Sequence, residues 1–435
     1  MPGETGDRSP WPYRVIEHGS KLGIHSIRPN RVGQFAEDMA AAGAAFSVVK
    51  AVDDLEWLNG VKQVSPETIT LARLTSRWEG CGNVERPTTD LDEMADQLLE
   101  VILDKLAARA TLREVVDYWE ICNEPDPPGA DGYRRLSLLM IKCMERAEAE
   151  GLSLAIFALN SGTPEWDEMV AMVDTGVFAR ARQGGHILAL HEGVFWHDRP
   201  IDFLWENPIP GGPTVPGAGA LHFRYRYLYH LLKERGEVVP LVVTEWYGGH
   251  YAQHGTTPEQ VADQVRWCDE KYREDYYFLG FCPFTLGPVG QWGEADYEFA
   301  YPELVEYAVS IREEPNAGPA PDEEEPEEEP DEAGRGAPRE QYKRIYVLLP
   351  PDADSSWTLA VVRGTWDSRR FTVGGSADDA GIGDLDSRIV IAVNPSHWER
   401  SLEEFFETYY SGVQYVPVEA ETPEELSLRL SAIDV

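Results

Sequence analysis

The feature that most constrains the fold is an eightfold alternation of short apolar runs with amphipathic or charged stretches before residue 313. Such alternation predicts repeated strand–helix units that form a parallel sheet. Eight units over about 290 residues fit a (β/α)8 barrel, so we predict that fold, with a doubly wound open sheet as the alternative. The predicted strands are Lys21 to Ile27, Phe46 to Ala51, Thr68 to Leu74, Tyr118 to Cys122, Leu154 to Leu159, Ile187 to Leu190, Pro240 to Val243 and Phe278 to Phe284.

Two helices of this region have recognisable beginnings. Asp90 precedes the amphipathic run LDEMADQLLEVILDKLAARA, and Thr257 to Gln260 forms a capping box before VADQVRWCDEKY. Side chains of these types accept hydrogen bonds from the first free N–H groups of a helix. They predict helix starts at both positions.

An acidic segment, Glu313 to Glu340, interrupts the chain. It has no aromatic side chain and no aliphatic side chain larger than alanine, so it cannot bury a core and its like charges extend it. We therefore predict a catalytic barrel domain at 1–312, an acidic Pro/Glu-rich linker at 313–340 and a small α/β accessory domain at 341–435. The predicted strands of the last part are Arg344 to Leu349, Arg370 to Val373, Arg388 to Val393 and Val413 to Val418.

The chain has 76 acidic and 38 basic side chains, a formal net charge of −38. Because this charge repels phosphate backbones and anionic lipids, we expect no nucleic-acid or membrane partner. The first residues, MPGETGDRSPWPYRV, lack the apolar core of a signal peptide, and no apolar run is long enough for a membrane helix. We expect a cytoplasmic location, and leave the native compartment and the oligomeric state open.

The cysteines are five in number, an odd count, and form no CxxC pair. This pattern disfavours both a zinc ribbon and a disulfide framework, so we interpret them as buried thiols in a reducing compartment. The cysteines are Cys81, Cys122, Cys143, Cys268 and Cys282.

Two glutamates follow or end predicted strands. Asn123-Glu124-Pro125 comes at the end of the fourth strand, and Glu245 comes at the end of the seventh. The carboxyl ends of barrel strands form the active-site face, so both carboxylates belong to the same rim. A pair of opposed carboxylates is what glycoside hydrolysis requires.

The Asn-Glu-Pro motif and the sequence Thr244-Glu245-Trp246 resemble those of clan A of the retaining glycoside hydrolases. The resemblance covers the barrel alone. It implies that Glu124 is the acid/base, that Asn123 contacts the sugar 2-hydroxyl and that Glu245 is the nucleophile. It also implies a carbohydrate substrate, and we expect no metal or organic cofactor. In a retaining enzyme the two carboxyl groups should lie about 5 to 5.5 Å apart.

Further matches to that clan are partial. The clan often has a His near the nucleophile, and His191 ends the sixth strand, but Gly193 stands where a Tyr is common. Tyr247, two residues after Glu245, is an alternative hydrogen-bond partner of the nucleophile, and packing is an equally compatible role for it.

Aromatic rings near the strand ends favour a carbohydrate cleft, because rings stack on the apolar faces of sugars. Trp246 is one of these rings. The resemblance to the clan also implies an aromatic residue on strand eight that floors the first sugar subsite. No residue here matches it cleanly, and we choose Trp292, with Phe284 as the alternative if Trp292 lies too far along its loop.

Three basic side chains fall at the ends of the first three strands, namely His25, Lys50 and Arg73. In this position we expect them to hold hydroxyls or acidic groups of the substrate, and we expect Lys50 or Arg73 to keep the nucleophile ionised. The alternative is a structural pairing of Lys50 or Arg73 with Asp53 or Glu79.

Metal chemistry is a competing interpretation, because histidines and carboxylates cluster around the sixth strand. Their spacing fits no HExxH helix, and a strand would direct neighbouring side chains to opposite faces. The cluster consists of His186, His191, Glu192, His197 and Asp198.

The alternative from another functional class is a noncatalytic carbohydrate-recognition protein on a degenerate glycosidase barrel. The presence of both Glu124 and Glu245 argues against it, because a protein that only binds sugar needs neither. The incomplete set of other clan residues keeps it open.

Overall fold

The computed structural model of the protein describes residues 16–433, apart from 195, 197, 250–254, 288–289, 294, 318–342, 366–371, 376–386, 399 and 410–412. The chain divides into two compact units, Met1–Pro321 and Asp322–Val435. None of the helices in these described ranges is long and apolar enough to cross a membrane.

The first unit contains eight strands that pair in parallel in the order of the chain. Strand eight returns to the first strand, because the Phe281 N–H donates to the Lys21 carbonyl at 3.0 Å and the Gly23 N–H donates to the Phe281 carbonyl at 2.8 Å. The predicted (β/α)8 barrel is therefore confirmed. The strands are β1 (Ile24–Ser26), β2 (Val48–Val52), β3 (Ile69–Arg73), β4 (Tyr118–Glu120), β5 (Leu154–Leu159), β6 (Ile187–Gly193), β7 (Leu241–Tyr247) and β8 (Phe278–Pro283).

Strands β6 and β7 extend further than predicted and carry polar residues within the sheet. His191 lies beside Glu245 in the register, just after an irregularity that follows Leu190. A buried strand is predicted from a run of apolar residues, so the predicted strand ends at the last apolar residue. Polar residues that follow this run and still pair with the neighbouring strand are therefore missed. The extension brings His191 and Glu245 to adjacent positions.

Helices surround the barrel and bury their apolar faces against it. The two predicted helix starts are present: the Asp90 side chain accepts from the N–H groups of Asp92 and Glu93, and Thr257 and Gln260 form a capping box. The helices are α1 (Val32–Ala41), α2 (Leu58–Val64), α3 (Leu91–Ala108), α4 (Leu112–Val115), α5 (Gly129–Ala149), α6 (Trp166–Val173), α7 (Val177–Gly184), α8 (Tyr225–Arg235), α9 (Pro258–Tyr272) and α10 (Tyr301–Ser310).

Beyond α10 the chain stays on the barrel as far as Ala317. The Gly19 N–H donates to the Glu314 carbonyl at 2.9 Å, and the Ala317 N–H donates to the Arg273 carbonyl at 3.0 Å. Arg273 also pairs with the Glu314 carboxylate at 2.9 Å. The rest of the predicted linker, residues 318–340, lies outside the described residues.

The second unit is a small α/β domain, as predicted. Its strands are β9 (Lys343–Leu348), β10 (Thr372–Gly374), β11 (Ser387–Val393) and β12 (Val413–Val418), and its helices are α11 (Ser355–Thr365), α12 (Leu402–Tyr409) and α13 (Pro423–Ala432). The sheet is parallel, in the order β10-β9-β11-β12. Val361 and Leu426 contribute to one apolar cluster and Phe406 to another, so the sheet has a core on both faces. The start of the predicted strand Arg370 to Val373 lies outside the described residues.

Candidate active site

The two glutamates meet at the carboxyl-terminal end of the barrel. Glu245 lies in β7, and Glu124 lies four residues beyond the last residue of β4. His191 stands between them: its Nδ1 is 2.9 Å from Glu124 Oε1 and its Nε2 is 3.7 Å from Glu245 Oε1. One ligand atom from each of these three side chains lies within 4.8 Å of the others. Each carboxylate therefore has an oxygen within reach of a single reacting centre.

Glu245 lies in a buried ring of polar partners, with a side chain only 6% exposed. Its Oε1 is 3.1 Å from Lys50 Nζ and 3.7 Å from Arg73 Nη2. His25 Nε2 is also 3.7 Å from that oxygen. The hydroxyl of Tyr247 donates a hydrogen bond of 2.5 Å to the other oxygen, Oε2. Both oxygens are therefore oriented before any substrate binds.

The charges of this ring fix the ionisation of Glu245. Burial alone would raise its pKa, but the basic side chains around the carboxylate, His191, Lys50 and Arg73 in order of effect, hold that pKa well below the usual value for a glutamate. Glu245 is therefore an anion at neutral pH, as a nucleophile must be.

His25 contributes as a neutral ring. Burial lowers its pKa well below the usual value, and the nearby cations Lys50 and Arg73 act in the same direction against the attraction of Glu245. Its Nδ1 lies 2.9 Å from Thr285 Oγ1, which holds the orientation of the ring.

Glu120, the last residue of β4, is a member of the site that the sequence analysis missed. Its side chain is fully buried, with Oε1 2.7 Å from Lys50 Nζ and 3.7 Å from Arg73 Nε. Two cations thus face the two carboxylates of Glu120 and Glu245, which balances their charges. The signal in the sequence was a carboxylate inside an otherwise apolar strand, because such a residue stays buried only when it is paired.

Glu124 occupies a tight turn with a strained backbone. Its φ is +48°, in the left-handed region that side chains other than glycine seldom adopt. The Glu124 N–H donates to the Ala158 carbonyl at 2.9 Å, and the preceding Asn123 N–H donates to the Glu79 carbonyl at 2.8 Å. These bonds hold the turn between neighbouring elements of the barrel. The Glu124 side chain is 33% exposed, so it remains accessible to water and substrate.

Asn123 lies beside Glu124 and is partly buried. Its Oδ1 is buried and has no hydrogen-bond partner among the described residues. An amide oxygen in this state is expected to bind a donor that arrives from outside the chain.

Three of the side chains predicted to bind substrate, namely Lys50, His25 and Trp246, are fully buried. The Lys50 and His25 side chains both contact the carboxylate of Glu245, and Lys50 also contacts that of Glu120. Side chains alternate along a strand, so with Glu245 in the site, Trp246 faces away from it and packs against Phe281 and Tyr297, at ring-centroid distances of 5.8 and 6.0 Å.

Arg73 also contacts the carboxylates, but its side chain retains 12% exposure at the edge of the ring. The alternative pairing of Arg73 with Glu79 is present as well, at 3.9 Å. Arg73 therefore joins the ring around Glu245 to the connection between β3 and α3, which contains Glu79.

The predicted aromatic floor involves two rings. Phe284 is buried and lies 4.7 Å from His25 and 5.4 Å from Tyr247, measured between ring centroids. Trp292 packs edge-on against Phe284 at 5.3 Å and is 46% exposed. Phe284, the alternative choice, thus contacts two neighbours of Glu245, and Trp292 lies one ring further out.

The histidine and carboxylate cluster proposed for a metal around strand six does not converge. His186 Nδ1 accepts a hydrogen bond from the Leu154 N–H, and His186 Nε2 lies 3.0 Å from Glu148 Oε1. The Glu192 carboxylate accepts hydrogen bonds from the N–H groups of Phe223 and Tyr225. His197 lies outside the described residues.

A different group has ligand atoms close enough for a metal ion among the described residues, and it is the trio of Glu124, His191 and Glu245 itself. Lys50 and Arg73 already supply two positive charges beside Glu245. Repulsion from them disfavours a cation at this carboxylate.

Comparison with known proteins gives matches among solved structures only. No protein-family model matches the chain, and no curated protein matches it. The solved structures it resembles include several glycoside hydrolases. The mannohexaose complex of the Thermomonospora fusca β-mannanase is 15% identical with a TM-score of 0.35, covering 64% of this chain and 87% of that one.

Two further matches are of the same kind. A family 39 glycoside hydrolase from the gut symbiont Bacteroides cellulosilyticus is 12% identical with a TM-score of 0.43, covering 67% of this chain and 64% of that one. A family 128 endo-β-1,3-glucanase from Pseudomonas viridiflava is 16% identical with a TM-score of 0.35, covering 69% and 99%.

Proposed function

We propose that the barrel is a retaining glycoside hydrolase that cleaves a β-linked glycan or glycoside by double displacement. The observation that carries the proposal is the pair Glu124 and Glu245, whose carboxylates each place an oxygen within 4.8 Å of the other at the active-site end of the barrel. Close approach of two carboxyl groups suits direct attack on the sugar, since a water between them needs a wider gap of about 6.5 to 9.5 Å.

In the first step Glu245 attacks the anomeric carbon and forms a glycosyl ester. The bond from that carbon to the leaving oxygen breaks, and Glu124 donates its proton to that oxygen so that it departs as an alcohol. Lys50, Arg73 and Tyr247 keep the attacking carboxylate ionised and oriented.

In the second step Glu124, now a carboxylate, takes a proton from water while the water oxygen attacks the anomeric carbon. The ester bond breaks, and Glu245 leaves as an anion stabilised by the same cations. Each displacement inverts the anomeric configuration, so the product retains the configuration of the substrate.

His191 and Asn123 have positioning and binding roles in this scheme. His191 is hydrogen-bonded to Glu124 and faces Glu245, so it fixes the distance between the two carboxylates. Asn123 presents a buried amide oxygen without a partner among the described residues, which suits a sugar hydroxyl as donor. The exposed Trp292 ring, which packs against the buried Phe284, supplies an apolar surface for a sugar ring.

We also propose that the chemistry needs only the barrel, with the second unit as an accessory domain. The candidate catalytic side chains all precede residue 313, and the chain contacts the barrel as far as Ala317. A chain truncated after Ala317 should keep kcat/KM within about twofold of the full chain. Loss of activity in a truncated barrel that is folded by circular dichroism would show that the accessory assignment is wrong.

The test of the function begins with a screen of the full chain against aryl β-glycosides and β-linked polysaccharides. For a substrate that is cleaved, proton NMR in the first minutes should show the β-anomer of the released sugar before mutarotation. An initial α-anomer would contradict retention. Saturable binding of a polysaccharide without any cleavage would favour the noncatalytic carbohydrate-recognition alternative, and unchanged turnover in EDTA is expected because no step uses a metal.

A further inference from the structure

Two thiols are in contact next to the turn that carries Glu124, since one of them belongs to Cys122, two residues before it. Sγ of Cys81 and Sγ of Cys122 are 3.1 Å apart, and both side chains are buried. All five cysteines of the chain are free. The two sulfur atoms are thus in contact, and only about 1 Å of approach separates them from the bonding distance of about 2.05 Å.

The pair connects two loops at the active-site end of the barrel. Cys122 lies between the end of β4 and Asn123. Cys81 lies in the connection from β3 to α3, in a turn where its N–H donates to the Trp78 carbonyl at 2.9 Å. The same connection supplies the Glu79 carbonyl that accepts the Asn123 N–H at 2.8 Å. A bond between the sulfurs would therefore reinforce an existing contact between the loops.

We propose that Cys81 and Cys122 are an oxidisable dithiol that closes into a disulfide and cross-links the β3–α3 connection to the turn of Glu124. The oxidant is a small-molecule disulfide such as oxidised glutathione. One thiolate attacks the oxidant and releases one reduced thiol, and the second thiolate attacks the mixed disulfide and releases another. The two cysteines lose two protons and two electrons, and the oxidant is reduced to two thiols.

Burial decides when the bond forms. Only a thiolate attacks a disulfide, and burial raises the pKa of Cys122 well above the usual value for a thiol. Both sulfurs are also closed off from an oxidant in the folded barrel. The disulfide therefore forms mainly during folding, and a chain folded in a reducing medium keeps the thiols.

The cross-link should stabilise the barrel, because it closes a loop between residues 41 positions apart. The unfolded chain then loses conformational entropy while the native contact changes little. For a unit of this size we expect the Tm to rise by about 5 °C.

The experiment compares two samples of the full chain in the same glutathione redox buffer, one refolded from urea and one added already folded. Free thiols are then alkylated, and the protein is digested without reduction and examined by mass spectrometry. The refolded sample should contain the peptide linking Cys81 to Cys122 and show the higher Tm, and the folded sample should acquire the link at least tenfold more slowly. Unfolding in dithiothreitol followed by refolding in it should abolish both changes.

Matched variants identify the pair. Cys81→Ala and Cys122→Ala should each lose the linked peptide and the rise in Tm, and Cys268→Ala, at another buried cysteine, should keep both. A dominant link from either residue to Cys143, or no link in the refolded wild-type chain, would overturn the proposal. The peptide map of the wild type decides the matter even if an alanine variant fails to fold, and none of these readouts depends on the proposed glycosidase activity.

Discussion

The two halves of the candidate site differ in how they are built. The Glu245 half lies inside the barrel, with a side chain only 6% exposed and two cations within 4 Å. The Glu124 half lies on a turn beyond a strand, with a side chain 33% exposed and His191 as its hydrogen-bond partner. A strand fixes the first carboxylate, and a strained turn presents the second.

This difference fits the roles that we propose for the two carboxylates. A nucleophile needs one constant charge state, and burial among cations provides it. An acid/base has to give a proton away and take one back in each cycle, so it needs contact with substrate and water. The assignment of roles therefore rests on environment as well as on position in the chain.

The largest expected effect comes from removal of the buried carboxylate. Glu245→Ala should lower kcat/KM by about 10⁵-fold, because no group remains to attack the anomeric carbon. Azide should restore turnover of an aryl β-glycoside and give the α-glycosyl azide, since one displacement replaces two. The anomer is identified by NMR, and a β-azide would reverse the assignment of the two glutamates.

Removal of the exposed carboxylate should act selectively. Glu124→Ala should lower the rate by about 10² to 10⁴ for substrates with poor leaving groups, which need a proton, and much less in the first step for activated aryl glycosides. Added azide should give the β-glycosyl azide, because the ester to Glu245 still forms. Equal losses for good and poor leaving groups in pre-steady-state bursts would contradict a role as acid.

The third effect is on stability. Lys50→Met leaves two buried carboxylates, Glu120 and Glu245, with Arg73 as the remaining cation, and should lower the free energy of unfolding at pH 7 by about 3 to 5 kcal/mol in urea titrations. Adding Glu120→Gln should recover part of the loss. Lys142→Met removes a surface ion pair with Asp92 and is the matched control, with little expected change.

The loss of stability in Lys50→Met should depend on pH in a definite direction. In the wild type the pKa of Glu245 is held below that of the unfolded chain, so the carboxylate contributes stability above about pH 4.3 that disappears as the pH falls through the folded value. Without Lys50 this contribution shrinks. The difference in the free energy of unfolding between the wild type and Lys50→Met should therefore be largest above about pH 5 and should decrease at lower pH. A difference independent of pH would mean that Lys50 acts through packing alone.

Much of this arrangement was predictable, because the regular spacing of strand–helix units fixes which residues reach the active-site face. Glu245, His191 and Lys50 were placed at strand ends in that way. The pairing of Glu120 with Lys50 and Arg73 was not predictable, since it depends on which side chains of neighbouring strands face inward. That orientation changes at each irregularity of the pairing, such as the one after Leu190.

The choice between Phe284 and Trp292 for the first sugar subsite was not predictable from the sequence for a different reason. Phe284 directly follows β8, whereas Trp292 lies eight positions further along in a loop. Sequence separation does not give the path of a loop, and the packing of Trp292 on the outer edge of Phe284 is visible only in three dimensions.

The smallest expected effect tests how rigidly the buried half is held. Tyr247→Phe removes the hydroxyl that donates to Glu245 Oε2 and leaves the ring that packs on Phe284. Since hydrogen bonds to charged groups contribute about 1.5 to 3 kcal/mol, we expect kcat/KM to fall by about tenfold to a hundredfold. Loss of a donor to the anion also raises the pKa of Glu245, so the acidic limb of kcat/KM should move to higher pH. An unchanged acidic limb with a reduced rate would instead assign Tyr247 to substrate binding, because that role leaves the ionisation of the free enzyme untouched.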